Sequence, residues 1–148
     1  MLASVAQAAE WREVGEVEDT GTVVSVDDKS LSVDHDQIVT GWVKFEYVKP
    51  SEHEGYKIIS YASRRMVDCS INRYWVTDAW GYLPNNAEPV RLYSTVQEWL
   101  IPAPDSEAEF ANAALCFETT SILGLGWGRV EILSRLYSVW GVLKGLAK

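Results

Sequence analysis

Along "IVTGWVKFEYVKP" the positions Val43, Phe45 and Tyr47 alternate with Trp42, Lys44 and Glu46, the period-2 pattern of a strand with one buried face. Pro50 lacks an N–H and is the expected end of that strand. Upstream, "WREVGEV" and "GTVVSVD" read as a hairpin around Glu18, Asp19, Thr20 and Gly21, and "VDDKSLSVD" turns again at Asp27, Asp28 and Lys29. After the polar link "SEHEGY", the runs "YKIISYASRRMVDC" and "RYWVTDAWGY" form a second hairpin through Ser70, Ile71 and Asn72, with Tyr74, Val76, Trp80 and Tyr82 on one face. "LPNNAEPV" is turn punctuation, and "RLYSTV" resumes a short strand. The chain therefore predicts an antiparallel β-sheet meander of about five or six strands.

The period then changes. In "PAPDSEAEFANAALC", Ser106 and Glu109 have the spacing of a capping box behind a pair of prolines. A helix from Glu107 to Leu115 follows, laying Phe110, Ala111, Ala114 and Leu115 on the sheet. The fold class is α+β, one sheet with one packed helix, plus a C-terminal amphipathic helical tail. In residues 117–148 the polar positions Glu131, Ser134, Arg135, Ser138, Gly141, Gly145 and Lys148 recur near helical period opposite Leu133, Leu136, Trp140 and Leu143.

Charge separates this tail from the rest. The chain carries −8 overall, and the tail, with four basic and two acidic residues, is at +2 against −10 for the remainder. An acidic body argues against a nucleic-acid partner, which requires a basic surface. For the tail, Arg129, Leu133, Arg135, Leu136, Trp140, Leu143 and Lys144 are the candidate contact residues. They suit docking on the chain's own domain, pairing of two copies into a homodimer, or peripheral contact with an anionic membrane. The charges at Arg129, Glu131 and Arg135 exclude an ordinary transmembrane span.

The chain has two cysteines. The predicted elements put Cys69 at a strand end and Cys116 at the end of the helix packed on that sheet, within reach of a disulfide. Two buried free thiols in a reducing compartment are the alternative. At the N-terminus, Ala6-Gln7-Ala8 has the small-residue spacing of a processing site, so residues 1–9 read as the remnant of a signal peptide.

Taken in order, Trp11, the "WVKFEYVKP" strand, the "DCSINRYW" segment and "EWLIPAPDSEAEFANAALC" resemble the surface-adhesin protein E family of Gram-negative bacteria, over roughly residues 10–116. The resemblance implies an exported antiparallel sheet with a packed helix and Cys69 paired with Cys116. It also implies a protein ligand, since the family's namesake binds host matrix proteins and plasminogen. The domains are then a signal remnant at 1–9, the adhesin-like domain at 10–116 and the tail at 117–148.

No enzyme motif competes with this reading. "GLGWGR" places Arg129 where a dinucleotide fingerprint needs glycine, and no βαβ unit follows it. Asp27, Asp28, Asp34 and Asp36 beside His35 do not have EF-hand spacing, and two cysteines without a C-x-x-C partner make a poor zinc site. No cofactor is expected. Trp42, Trp75, Trp80 and Trp99 could build a ligand platform, although aromatics in a sheet more often serve packing. The expected function is an exported, non-catalytic binding module in the periplasm or on the outer cell surface. The alternative is a periplasmic structural or envelope-associated protein with no host ligand.

Overall fold

The computed structural model describes residues 9–92, 98–123 and 143–144. Its strands are β1 (Trp11–Val17), β2 (Val23–Asp27), β3 (Ser32–Val33), β4 (Ile38–His53), β5 (Tyr56–Asp68), β6 (Arg73–Tyr82), β7 (Val90–Arg91) and β8 (Leu143–Lys144), with one α-helix, α1 (Glu107–Leu123). All described pairings are antiparallel, in the order β7-β6-β5-β4-β2-β1-β8, with β3 also on β4. Five strands do most of the work, and three of only two residues extend the edges. The expected α+β architecture of an antiparallel sheet with one helix is the one observed.

Turn chemistry places the hairpins where expected. Gly21 closes the β1–β2 turn at φ 70°, a conformation that costs glycine nothing. Asn72, at φ 51°, ends the β5–β6 turn and leaves Cys69 one residue beyond its strand. Asp27 caps a 3-10 turn at Asp28–Ser30 by accepting from Lys29 N.

Pro50 does not end β4, which runs on to His53. The pairing with β5 shifts register between Glu46 and Ser51, so Pro50 lies in a bulge where no ladder N–H is demanded of it.

A second irregularity corrects the expected face of β6. Arg64 pairs with Asp78 but Arg65 with Val76, which leaves Thr77 as the extra residue. The bulge reverses the alternation, so Tyr74 and Val76 share the face of Arg65 whereas Trp80 and Tyr82 lie on the opposite one.

The core fills the space between one sheet face and α1. Val24, Val26, Val39, Val43, Phe45 and Val67 meet Phe110, Ala111, Ala114 and Leu115. Gly41 lets the helix sit close, since a Cβ there would come within 2.9 Å of the Leu115 and Leu31 side chains. The capping box forms with one change of partner: Ser106 Oγ accepts from Glu109 N at 3.3 Å, while Glu109 reaches back to Asp105 N at 2.6 Å.

The helix departs from expectation in two ways. It continues past Leu115 to Leu123, which puts Cys116 near its middle, because no glycine or proline occurs between Cys116 and Gly124. Residues 110–116 are also all buried, so this stretch is enclosed on every side and does not merely lay one face on the sheet.

Leu143–Lys144 do not continue a helix as expected. They pair with Val17 and Glu16 along the free edge of β1. Gly141 and Gly145 flank the pair and weaken helix by about 1 kcal/mol each relative to alanine, and the edge supplies unpaired backbone groups. The other tail positions of the sequence reading, Arg129, Leu133, Arg135, Leu136 and Trp140, lie outside the described residues.

Candidate functional site: the outer face of the sheet

Residues that alternate with the core positions point away from α1. Register fixes three cross-strand rows there: Thr40, Met66 and Trp75; Trp42, Arg64 and Asp78; and Lys44, Ala62 and Trp80. Arg64 occupies the middle strand of the middle row, with Trp42 directly opposite on β4 and Trp75 and Trp80 on the diagonals of β6. Of the four tryptophans proposed as a platform, three are strand residues of this one face. The fourth, Trp99, joins them by a second route. Backbone hydrogen bonds of 2.8 Å in both directions between Tyr74 and Leu100 dock its segment beside β6, and its ring meets Trp75 edge to face at 5.9 Å between centroids.

The face is covered by its own side chains. Ala62 is 1% exposed, and its cross-strand neighbours are Lys44 and Trp80. Lys44 places its ammonium 4.6 Å from the centre of the Trp11 ring and 3.1 Å from Glu46. Arg73 similarly stacks over Trp99 at 4.6 Å while contacting Asp68 at 3.4 Å. These cation–π and ion-pair contacts hold the rings in a fixed arrangement.

Arg64 is different. Arg12, Lys44, Arg73 and Arg91 each contact a carboxylate, whereas Arg64 is exposed and its recorded hydrogen bond goes to a neutral oxygen, Thr77 Oγ1 at 3.3 Å. Thr77 Oγ1 in turn donates to the Arg64 carbonyl at 3.2 Å. The bulge residue thus braces the guanidinium at the centre of the tryptophan-lined face. Sequence reasoning named the tryptophans and missed Arg64, because the Thr77 bulge that brings them together leaves no mark in the alternation.

On the opposite face the cysteines are joined. Cys69 and Cys116 form a disulfide with Cα atoms 5.8 Å apart, and both are buried. Beside them Asn112 donates to Asn72 Oδ1 at 3.2 Å, a second tie between the β5–β6 turn and α1.

A polar cluster closes the far end of this inner face. Tyr47 donates to Glu107 Oε1 at 2.7 Å, and His53 stacks between Tyr47 and Tyr61 with centroids at 6.1 Å and 5.3 Å. Burial, reinforced by the Glu107 carboxylate, drives the Tyr47 hydroxyl far above its ordinary titration range. Burial likewise raises Tyr61.

The acidic cluster considered for a cation is spent locally. Asp27 accepts from the Glu10 and Lys29 amides, Asp28 binds Arg12 at 2.7 Å, and Asp34 accepts from the Asp36 and Ile38 amides. Among the described residues no group of His, Cys, Asp and Glu side chains is arranged to hold a metal ion. No described helix is long and apolar enough to cross a membrane.

The sheet, helix and buried disulfide define a small α+β module with an aromatic outer face. The sequence profile of the family described as surface-adhesin protein E matches residues 11–117, and the chain belongs to that family. A structure of Haemophilus influenzae protein E aligns at 17% identity, covering 80% of this chain and 89% of that one with a TM-score of 0.50. Another, of protein E from non-typeable Haemophilus influenzae, aligns at 12% identity over 91% of this chain and 92% of that one, with a TM-score of 0.45. No curated protein sequence gives a significant match. The family assigns the chain to the exported surface adhesins.

Proposed function

We propose that the protein is a non-catalytic binding module at the outer cell surface that takes a protein ligand on the outer face of its sheet. The observation that carries this reading is the position of Arg64, exposed and, among the described residues, without a carboxylate partner, across from Trp42 and between Trp75 and Trp80. Tryptophan and arginine are the residue types most enriched at binding hot spots, where rigid rings bury much area at little entropic cost and a guanidinium supplies directed hydrogen bonds. Here Trp75 is already held edge to face by Trp99, over which Arg73 stacks, so less order is lost on binding.

The test is a paired capture experiment with the disulfide-intact protein and its Arg64→Glu variant as baits, against a host matrix extract and an envelope extract. A ligand of this face is retained by the parent and lost by the variant. Ligands held equally by both baits would place binding elsewhere. Absence of any ligand would favour a structural role in the envelope.

A further inference from the structure

A cavity of about 860 Å³ opens on the inner side of the molecule, between the β1–β2 turn, the β4 bulge and the first turn of α1. Phe45, Val17 and Phe110 form its buried floor, and Val48, Pro50 and Tyr47 supply the more exposed apolar wall. The bulge creates the space. Where pairing with β5 lapses between Glu46 and Ser51, residues 47–51 swing over the helix start and become part of the lining.

Asp19, Asp105 and Glu107 ring this cavity, against a single cation among the described residues, Lys49. Among the described residues none of the three carboxylates forms an ion pair, although arginines and lysines elsewhere find partners readily. Glu107 uses Oε1 for Tyr47, and its other oxygen has no partner among the described residues. An apolar, aromatic-walled hollow rimmed by unpaired carboxylates is complementary to an alkyl stem that ends in a cation. The volume exceeds what one side chain fills and suits a short extended segment.

We infer that this cavity binds a basic side chain, lysine or arginine, of a protein partner, together with the peptide residues flanking it. The site is separate from the outer face and does not depend on the reading of that face. The stem packs on Val48, Pro50 and the Tyr47 ring, and the cation is shared by Glu107 and Asp105. Asp19 adds long-range attraction from the facing turn.

The test is a titration of the full chain with Ac-Ala-Lys-Ala-NH2, followed by amide chemical shifts, beside Ac-Ala-Arg-Ala-NH2 and the neutral isostere with norleucine at the centre. Saturable shifts centred on residues 17–22, 45–51 and 105–110 are expected with both basic peptides, in roughly the millimolar range of a single anchored side chain. The norleucine peptide should bind at least about tenfold more weakly. The double substitution Asp105→Asn and Glu107→Gln preserves both the positive φ of residue 105 and an acceptor for Tyr47, and should erase the preference for the basic peptides. If that variant does not fold, the parent is titrated at low and high salt, where only the basic peptides should lose affinity. Equal binding of the norleucine peptide overturns the inference. So do shifts centred outside the cavity, or a preference that survives both the substitutions and salt. The outer-face reading stands or falls apart from any of these results.

Discussion

Tyr47 in the β4 bulge donates a 2.7 Å hydrogen bond to Glu107 in the first turn of α1, so the irregular part of the sheet and the start of the helix are fastened by one half-buried phenol. Its effect on stability has a definite sign. Tyr47 and Tyr61 both titrate above their ordinary value of 10.0 in the folded protein. The unfolded chain therefore releases these protons first, and their stabilising contribution is complete below pH 10 and lost as pH rises beyond it. Denaturation midpoints measured from pH 8 to pH 11 should fall steeply at the alkaline end. Tyr47→Phe should flatten that fall, whereas an unchanged alkaline slope would show that Tyr47 does not carry it.

Reduction of the disulfide should cost much of the domain's stability. The bridge spans a sequence separation of 47 residues, and closing a loop of that size constrains the unfolded chain by about 4 kcal/mol in the loop-entropy model. Urea denaturation of the parent and of Cys69→Ala with Cys116→Ala should differ by several kcal/mol. A difference below about 1 kcal/mol would mean that the unfolded chain is already restricted between these positions.

Gly41 predicts a packing defect. A methyl group at this position meets Leu115 and Leu31 at 2.9 Å each, and Leu115 is fully buried, so it has little room to withdraw. Gly41→Ala should destabilise by about 1–3 kcal/mol, the ordinary cost of overpacking. A neutral substitution would show that the helix can lift from the sheet without loss.

The sheet and the disulfide were legible in the sequence for a physical reason. Alternation through Val43 and Phe45 survives because one face is buried, and the capping box survives because it is local chemistry. What escaped was everything set by an irregularity. One extra residue at Thr77 exchanged the faces of Tyr74 and Trp80, and the bulge after Glu46 carried β4 past Pro50. Neither bulge alters composition, so neither has a signal in a window of residue types. The helix beyond Leu115 was readable, since nothing in "FETTSIL" breaks a helix. The edge pairing of Leu143 was not, because it depends on where β1 leaves its free side. Arg64 illustrates the same limit at the candidate site: its charge is plain in the sequence, but its place among three tryptophans exists only once Thr77 is bulged.

Removing the hydroxyl of the bulge residue Thr77 offers an independent check on the outer face. Thr77 Oγ1 both receives from Arg64 and bonds its carbonyl, so Thr77→Val should free the guanidinium with little effect on the core, costing about 1 kcal/mol for the hydrogen bonds. Affinity for a ligand of this face should fall in step with the loss of Arg64 order, measured by side-chain Nε relaxation. Full affinity with a mobile Arg64 would show that the bracing is incidental.

The most direct measurement is a binding titration of the purified, oxidised protein against purified plasminogen and individual host matrix proteins, using the parent, Arg64→Glu, Trp80→Ala and the remote surface control Lys57→Ala. Saturable binding to at least one of them is predicted, weakened at least about tenfold by each outer-face substitution, the loss expected of a hot-spot residue, and unaffected by the control. Binding that survives both outer-face substitutions, in variants with unchanged melting behaviour, would contradict the account.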